Sequence, residues 1–421
     1  MIQDVACTVC GCVCDDLRVQ VSDGVIQNVE NACHFTEPWL LEKSQNCDRP
    51  YACVDGQAVA FEQAVSQSAE ILSGSRAPLV YGMSNCGVAG MRAACRLSDR
   101  IGATIDATAS HSHAASVVAI QASGESTATL GEIRHRSDVV VYWGSNPLVS
   151  QPRHIERFID SPGMFMPAGR QDRHLVVVDT TRTPTAEIAD TFIQLPAGAD
   201  FEVIWALRAL IQGTSFDEKN IGGVATTALL RLADLLKSAR YGAIFYGSGL
   251  TSHHVPHATV EALLRLVTEL NAHTRFVTRA MRNRGDAAGS DGVLSWQTGY
   301  PMGVNLARGY PRYNPGEHNA NALLERQEVD AAIVVGADSV GRLSLAARSR
   351  LQAIPTVVLD AQDASSYLNP SVQIATATDG VHRNGTTYRM DDVSIPLRKL
   401  VQSDLPSDEE VLLAIEDRIE V

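Results

Sequence analysis

Four cysteines near the beginning of the chain have the residue type and spacing of a metal centre. Cys7, Cys10 and Cys14 form the pattern Cys-x2-Cys-x3-Cys, and Cys33 follows in the segment ENACHF. Such thiolates can enclose a four-iron cluster, because each iron needs one soft sulfur ligand. Structural zinc usually takes two Cys-x2–4-Cys pairs, and the sequence has only one. The pattern favours an iron–sulfur site, with zinc or unligated buried cysteines as alternatives and Cys47 as an alternative fourth ligand.

A serine between two histidines forms a second candidate site. The segment TASHSH (108–113) follows the predicted strand GATIDA and contains Ser112 and His113. Small residues and imidazoles around a hydroxyl are typical of the rim of a site, where a histidine can exchange protons near neutral pH. The alternative is that His113 is a hydrogen-bonded core residue.

The loop WGSNP follows a predicted strand and has the character of a phosphate-binding turn. Backbone N–H groups around Gly144, Ser145 and Asn146 can bind a phosphate, since a glycine allows close approach of the main chain. One such turn is a weak signal alone, and a second loop along the chain supports it.

That second loop lies in VVVDTTRTPTAEIAD, where a strand is predicted to end at Asp179. A carboxylate at this position can bind a ribose or the edge of a base. Arg182 adds a planar cation for phosphate and Thr183 adds a hydroxyl. The alternative is that Asp179 caps the following helix.

Charge and hydropathy exclude several classes of function. The net charge is −13 over 421 residues, which argues against non-specific nucleic-acid binding. We expect a cytoplasmic protein, because the chain has no run of about 18 apolar residues and its first residues do not resemble a secretory signal. The segment RAMRNRGDAAG (279–289) nevertheless concentrates three arginines, which suits an anionic ligand or a solvated loop.

Strand-like and helical segments alternate along the chain, which predicts an α/β fold with parallel sheets. Three motifs of the first half match three of the second half in order: LVYGMSN with IFYGSGL, VVVYWGSN with AAIVVGAD, and HLVVVDTT with PTVVLDAQ. We therefore predict a cysteine-rich β subdomain (1–55) and two pseudo-duplicated, Rossmann-like, doubly wound lobes (56–235 and 236–421).

Together these motifs resemble the molybdopterin-dinucleotide oxidoreductase superfamily. Within it, the segments CDDLRV, ENAC, VVVYWGSNPLVSQPRH, RGYPRYNPGE and NGTTYRMDDV resemble the B subunit of formylmethanofuran dehydrogenase. The resemblance spans essentially the whole chain and keeps the order of the motifs. It implies the iron–sulfur subdomain and Rossmann-like lobes of the formate dehydrogenase and DMSO reductase type.

The resemblance also implies roles for individual residues. In that family the lobes hold two pterin guanine dinucleotides around tungsten or molybdenum, and the strand-end loops, here including Gly336 and Asp338, are the dinucleotide contacts by position. The metal ligand is a cysteine in a TAS-x-Cys-His loop, and Ser112 occupies its position here while His113 is retained. Arg282 matches the position of an active-site arginine.

Two hypotheses follow from the serine. The first is a non-redox scaffold subunit of a bacterial formyltransferase/hydrolase complex in one-carbon metabolism, without the tungsten– or molybdenum–bis-pterin cofactor. Its partners would be the hydrolase, the formyltransferase and a third protein, which are the A, D and C subunits of such a complex. The alternative is an active dehydrogenase subunit that interconverts CO₂ and formate with serine as the metal ligand. A free-standing binding protein with a dinucleotide-type cleft is a third reading, supported only by the fold class.

Overall fold

The computed structural model describes residues 1–44, 50–251, 255–282, 285, 287–360 and 368–419. The strands of this part of the chain are β1 (Ile2–Val5), β2 (Leu17–Ser22), β3 (Val25–Glu30), β4 (Ala52–Val54), β5 (Gln57–Ala58), β6 (Pro78–Gly82), β7 (Thr104–Ala107), β8 (Val139–Trp143), β9 (His174–Asp179), β10 (Thr191–Gln194), β11 (Asn220–Ile221), β12 (Val224–Ala225), β13 (Tyr241–Tyr246), β14 (Arg275–Ala280), β15 (Val304–Asn305), β16 (Arg312–Tyr313), β17 (Ala331–Val335), β18 (Thr356–Asp360), β19 (Val372–Ala375), β20 (Gly385–Tyr388) and β21 (Ser394–Leu397). The α-helices are α1 (Thr36–Lys43), α2 (Phe61–Ser73), α3 (Val88–Ile101), α4 (Ala109–Ser112), α5 (Ala114–Ser123), α6 (Leu130–Arg136), α7 (Pro147–Ser150), α8 (Pro184–Glu187), α9 (Asp200–Ile211), α10 (Thr226–Ser238), α11 (Pro256–Leu270), α12 (Ala287–Thr298), α13 (Ala320–Glu325), α14 (Leu345–Gln352) and α15 (Asp408–Glu416).

The chain divides into two compact units. Unit 1 comprises Met1–Ser112 and Arg284–Val421, and unit 2 comprises His113–Asn283. Each unit is built on a sheet whose central strands are parallel, and the innermost of them are rich in Val, Ile, Leu and Tyr. Such strands are apolar throughout because helices cover both faces of the sheet. The α/β class with parallel sheets is therefore confirmed.

Unit 2 contains a five-stranded parallel sheet in the order β10-β9-β8-β13-β14. Numbered along unit 2 alone, this order is 3-2-1-4-5. The direction of strand addition reverses between β8 and β13, and in doubly wound sheets ligands bind in the crevice at the carboxyl ends beside such a reversal. Every residue of β8 and β13 is buried, so this crevice lies at the end of a well-packed core.

Unit 1 contains a nine-stranded sheet in the order β16-β15-β7-β6-β17-β18-β19-β4-β5. Its central strands β7, β6, β17, β18 and β19 are parallel and follow the order 2-1-3-4-5 along the unit, with antiparallel strands at both edges. The reversal lies between β6 and β17. There Gly82 has φ +115°, and an added Cβ would lie 2.3 Å from the Val335 carbonyl oxygen, so only glycine lets the two strand ends meet.

The units are interleaved in sequence, unlike the consecutive lobes predicted at 56–235 and 236–421. β6 pairs with β17 in unit 1, and β8 pairs with β13 in unit 2, so each sheet takes strands from both predicted lobes. The strands matched by motif nevertheless occupy equivalent places: β6 with β13, β17 with β8, and β18 with β9. Motifs identify similar strands, but strand pairing over some 250 residues is decided by tertiary contacts that no local pattern encodes.

The N-terminal segment forms the antiparallel sheet β1-β2-β3. Strands β2 and β3 form a β-hairpin whose turn is Asp23 and Gly24, both with positive φ, as a two-residue hairpin turn requires. The predicted boundary at residue 55 falls inside the β4–β5 pair, and β4 pairs with β19 of the large sheet. This segment is therefore continuous with unit 1.

Within the described ranges, the helices are all too short or too polar to cross a lipid bilayer.

Candidate functional site

The first three predicted cluster cysteines lie on one closed loop after β1. The Cys7 N–H donates to the Cys14 carbonyl oxygen at 2.8 Å, and the Val13 N–H donates to the Cys10 carbonyl oxygen at 3.1 Å. All three thiols are buried. Burial, together with the neighbouring Cys10 and Cys14, raises the pKa of the Cys7 thiol far above its ordinary value. A nearby cation would favour the thiolate form of such a buried thiol.

Cys33 reaches the same place from the turn that precedes α1. The Thr36 hydroxyl lies 3.1 Å from the Cys7 sulfur and 3.3 Å from the Cys33 sulfur. Thr36 is 3% exposed, and its N–H also donates to the Cys33 carbonyl oxygen at 3.0 Å. The structure therefore brings Cys33 to the loop that carries Cys7.

In the part of the chain that the structure describes, no three His, Cys, Asp or Glu side chains converge on the position of one metal ion. A four-iron cluster takes one sulfur at each of four irons, so its ligands stand further apart. The Val9 N–H donates to the Cys7 sulfur at 3.4 Å, a type of contact that stabilises cluster thiolates. The alternative ligand Cys47 lies outside the described residues.

Ser112 ends the four-residue helix α4 at the carboxyl end of β7 in unit 1. Its hydroxyl oxygen is buried and has no hydrogen-bond partner among the residues that the structure describes. The Thr108 hydroxyl, at the start of the same turn, is also buried without a hydrogen-bond partner among the described residues. Buried hydroxyls are normally satisfied, so two neighbouring exceptions mark this turn as unusual.

Asp106 holds that turn in place. Its carboxylate is fully buried and accepts from the Ser110 hydroxyl at 2.6 Å, the Gly303 N–H at 2.8 Å and the Ala320 N–H at 2.7 Å. Burial raises the pKa of Asp106 to about 7, against the opposing effect of these donors. One side chain therefore connects the Ser112 turn to the residue before β15 and to the first residue of α13, and the irregular segment RGYPRYNPGEHNA lies between these two points.

The other predicted catalytic residues belong to unit 2. His113 is 6% exposed, and its carbonyl oxygen accepts from the Val117 N–H as α5 begins. Arg282 follows β14, where its carbonyl oxygen accepts from the Gln151 side chain at 2.8 Å. Its positive charge opposes the burial that raises the pKa of Tyr246 at the end of β13. Arg282 thus lies near the carboxyl ends of the unit 2 strands, as a site residue should.

Four predicted dinucleotide residues meet at one place in unit 2. Gly144, Ser145, Asn146 and Asp179 line adjoining cavities at the carboxyl ends of β8 and β9. Gly144 has φ +54°, and an added Cβ would lie 2.9 Å from the Leu250 main-chain nitrogen. Glycine is therefore required at position 144 because the main chain of the next strand-end loop packs directly against it. Sequence reasoning missed Gly247 and Ser248 of the next strand-end loop, although the matched motif IFYGSG identifies that loop.

Arg182 and Thr183 do not line these cavities as far as the described residues show. The Arg182 guanidinium pairs with Glu187 at 2.8 Å on the surface, and the Thr183 hydroxyl caps α8 by accepting the Ala186 N–H. The residue that caps the following helix is therefore Thr183 and not Asp179. The Asp179 carboxylate instead accepts the N–H of its neighbour Thr180 at 2.7 Å.

Gly336 and Asp338 lie in a separate cavity of about 190 Å³ in unit 1. It occupies the equivalent position, at the carboxyl ends of β6, β17 and β18. The Gly336 N–H donates to the Leu359 carbonyl oxygen, and Asp338 accepts from the Asn85 side chain at 2.8 Å. The matched strand-end cavities of the two units are thus the main candidate binding sites.

The unit 1 cavity is acidic. Its charged lining residues are Lys43 and four aspartates: Asp338, Asp360, Asp379 and Asp408. Burial raises the pKa of Asp379 to about 7, helped by Asp408 and Glu409 and opposed by the Gly87 N–H and Arg383. Burial also raises the pKa of Asp408 to about 6. The sequence shows Asp408 only as the first residue of a capped helix, so its role in the cavity escaped sequence reasoning.

We expect Asp379 to make the protein less stable as the pH rises. A carboxyl whose folded pKa is about 7 binds its proton more tightly than in the unfolded chain, so stability is lost between about pH 4 and pH 7. Asp379→Asn should therefore gain about 1–3 kcal/mol relative to wild type between pH 5 and pH 8 in urea unfolding. The matched control Asp404→Asn, at an exposed site, should show no such trend. A parallel pH dependence in D379N and wild type would contradict the expectation.

No family model matches the chain, but its amino-acid sequence is similar to those of several curated proteins. It is 35% identical over 416 residues to the B subunit of the tungsten-containing formylmethanofuran dehydrogenase 2 of Methanocaldococcus jannaschii, covering 95% of this chain and 94% of that protein. The protein of the same name from Methanococcus maripaludis is 34% identical over 98% of this chain and 97% of its own length. The B subunit of the formyltransferase/hydrolase complex Fhc of Methylorubrum extorquens is 27% identical over 67% of this chain and 73% of its own.

Two solved structures share the fold. A chain of the formyltransferase/hydrolase complex FhcABCD of Methylorubrum extorquens, determined with methylofuran, superposes with a TM-score of 0.73 at 23% identity, covering 87% of this chain and 98% of that chain. Acetylene hydratase from Pelobacter acetylenicus superposes with a TM-score of 0.66 at 13% identity, covering 98% of this chain and 69% of the hydratase. At these identities the two structures establish similarity of fold alone.

Proposed function

Because this chain belongs to the family of formylmethanofuran dehydrogenase B subunits, we propose that it is a non-redox scaffold subunit of a one-carbon complex of the formyltransferase/hydrolase type. Its partners in this proposal are the hydrolase, the formyltransferase and the third protein of such a complex, its A, D and C subunits. The relative from Methylorubrum extorquens carries the name of such a complex.

Ser112 is the observation that carries the proposal. By resemblance, the pterin-bound metal of this family takes a cysteine thiolate, whereas a serine hydroxyl is a harder ligand that is more difficult to ionise near neutral pH. The Ser112 oxygen is buried beside the unpartnered Thr108 hydroxyl, and Asp106 anchors the turn through Ser110. The turn thus keeps the family's framework but offers oxygen where the family's metal takes sulfur.

The acidic cavity of unit 1 supports the same conclusion. A bis-pterin cofactor needs two sites that tolerate a negatively charged pyrophosphate. Unit 2 retains a glycine-based turn at Gly144, but the equivalent cavity of unit 1 has four aspartates against Lys43. A carboxylate at a strand end, such as Asp360, can bind a ribose or a base edge, so it is the excess of carboxyls over Lys43 that disfavours a second pyrophosphate in this cavity once Asp379 and Asp408 ionise.

The cysteine set fits an iron–sulfur cluster, and we propose that Cys7, Cys10, Cys14 and Cys33 hold it. When bound, such a cluster supplies one-electron transfer or fastens the loop that carries its ligands. In a scaffold subunit the second role is sufficient, because the cluster then links the N-terminal sheet to α1. We also propose that the two units are duplicated lobes of the formate dehydrogenase type, since motif-matched strands occupy equivalent positions in their sheets.

An active tungsten or molybdenum dehydrogenase subunit is the second candidate. It is favoured by the 34–35% identity to tungsten-containing relatives over nearly the whole chain and by the retained cysteines. In that case Ser112 would hold the metal, which when bound would supply a two-electron redox centre for CO₂ and formate, with the cysteine-bound cluster passing the electrons. His113 would exchange the proton and Arg282 would neutralise charge on the substrate.

Co-purification from the native host tests the scaffold role. We expect a tagged full-length chain to elute with the hydrolase and formyltransferase proteins in fixed ratio, and the complex to transfer formyl groups without catalysing formate oxidation. Deleting the chain should lower the recovery of the other proteins as one complex. A chain that elutes alone, or a complex that reduces an artificial electron acceptor with a formyl substrate, would contradict the proposal.

A further inference from the structure

We propose that Thr36 is a positioning residue for the cysteine set, because its hydroxyl ties the distant ligand Cys33 to the loop that carries Cys7. The inference rests on the cluster part of the proposed function. It adds a residue that the spacing of the cysteines does not reveal.

The geometry places one hydroxyl between two sulfurs that are far apart in sequence. The Thr36 oxygen is 3.1 Å from the Cys7 sulfur, 29 residues earlier in the chain, and 3.3 Å from the Cys33 sulfur. The side chain is buried, so water does not compete for these contacts. Both distances are ordinary for hydrogen bonds to sulfur.

Local helix capping does not account for this placement. Thr36 is the first residue of α1, and the preceding Phe35 makes no side-chain cap. The Cys33 carbonyl oxygen accepts the first two helix N–H groups, from Thr36 at 3.0 Å and Glu37 at 3.1 Å. The start of the helix is thus fastened to Cys33 through the main chain, and the hydroxyl is left for the sulfurs.

The chemistry suits thiolate ligands. A thiolate can only accept, so the single hydroxyl proton of Thr36 is donated to one sulfur at a time. In the thiol form one sulfur can donate to the Thr36 oxygen while the other accepts its proton, so the hydroxyl bridges both. In the thiolate form the two sulfurs share that proton, and Cys7 has the Val9 N–H at 3.4 Å as a second donor. Hydrogen bonds to cluster sulfurs stabilise the reduced, more negative state and raise the reduction potential. Such second-layer partners typically change metal affinity 10- to 100-fold.

Anaerobic reconstitution of the full-length chain with iron and sulfide tests the inference. We expect Thr36→Val to lose its iron to a chelator about 10-fold faster than wild type and to show a more negative reduction potential. Thr36→Ser, which keeps the hydroxyl, should behave like wild type. Thr259→Val is the matched control, because it removes a buried threonine hydroxyl from α11, which belongs to unit 2. Circular dichroism and the cooperative unfolding midpoint establish that each variant is folded, and Thr36→Ala replaces Thr36→Val if the latter is not.

The outcomes separate this inference from the proposed cluster. A wild-type chain that binds no iron overturns both. A wild-type chain that holds iron while Thr36→Val matches its chelation rate and potential overturns the inference alone. Faster loss in both Thr36→Val and Thr36→Ser also overturns it, because the hydroxyl would then not be the responsible group.

Discussion

Purified with its natural partner proteins, this chain should contain about four irons and no more than traces of tungsten or molybdenum. The iron follows from the buried cysteine loop and from Cys33, which Thr36 connects to it. The lack of a heavy metal follows from the oxygen of Ser112 and from the carboxylates of the unit 1 cavity. Inductively coupled plasma mass spectrometry of the complex, with growth medium containing both tungstate and molybdate, measures all three elements.

Two variants make this result specific. Cys7→Ser should remove most of the iron without affecting the other metals, which assigns the iron to the cysteine set. Ser112→Cys restores the soft ligand, but we expect it to recover no tungsten or molybdenum because the aspartates of unit 1 remain. About one tungsten or molybdenum per wild-type chain would overturn the scaffold role and support the active dehydrogenase. If the single substitution Ser112→Cys restored metal binding, the serine would be the only change that prevents this chain from binding the metal.

Replacing Asp106 by alanine should lower the free energy of unfolding of unit 1 by about 3–5 kcal/mol. The substitution leaves the Gly303 and Ala320 N–H groups and the Ser110 hydroxyl without their acceptor in a fully buried place. Hydrogen exchange measured by mass spectrometry should show the loss of protection in residues 108–112 and 303–320 before the rest of unit 1. The same effect should appear as a lower midpoint in urea unfolding.

Two control variants distinguish the loss of the Asp106 hydrogen-bond acceptor from the general effect of replacing an aspartate. Asp106→Asn retains one acceptor oxygen and should cost clearly less than Asp106→Ala. Asp99→Ala, at an exposed site near the end of α3, should remain within about 0.5 kcal/mol of wild type. If Asp106→Ala matched Asp99→Ala in stability and in exchange, Asp106 would not be the residue that holds the Ser112 turn.

Much of the framework follows from local pattern. The apolar runs that become β6, β8, β9, β13, β17 and β18 are recognisable because parallel strands are buried on both faces. The turn at Gly144 and the carboxyl-end position of Asp179 follow from the same rule, since parallel strands present their loops at one edge. The hairpin at Asp23 and Gly24 is encoded in two residues.

Roles that depend on distant partners were harder to predict. Arg182 has the type and position of a phosphate ligand, yet Glu187 pairs with it on the surface. The sequence predicts only that Asp408 lies in the first turn of a helix, yet its side chain lines the acidic cavity with Asp360 and Asp379. Neither the neighbour of an arginine nor the burial of a carboxylate is visible in a short segment of sequence.

The sequence alone determined the strand and helix types, the cysteine spacing and the oxygen at position 112, because each depends on residue identity and on neighbours a few positions away. The tertiary structure decided that β6 pairs with β17 and β8 with β13, that Thr36 lies between two sulfurs, and that four aspartates share one cavity. Strand partners, solvent exclusion and the resulting pKa values arise from contacts between segments up to hundreds of residues apart, and therefore only the folded chain fixes them.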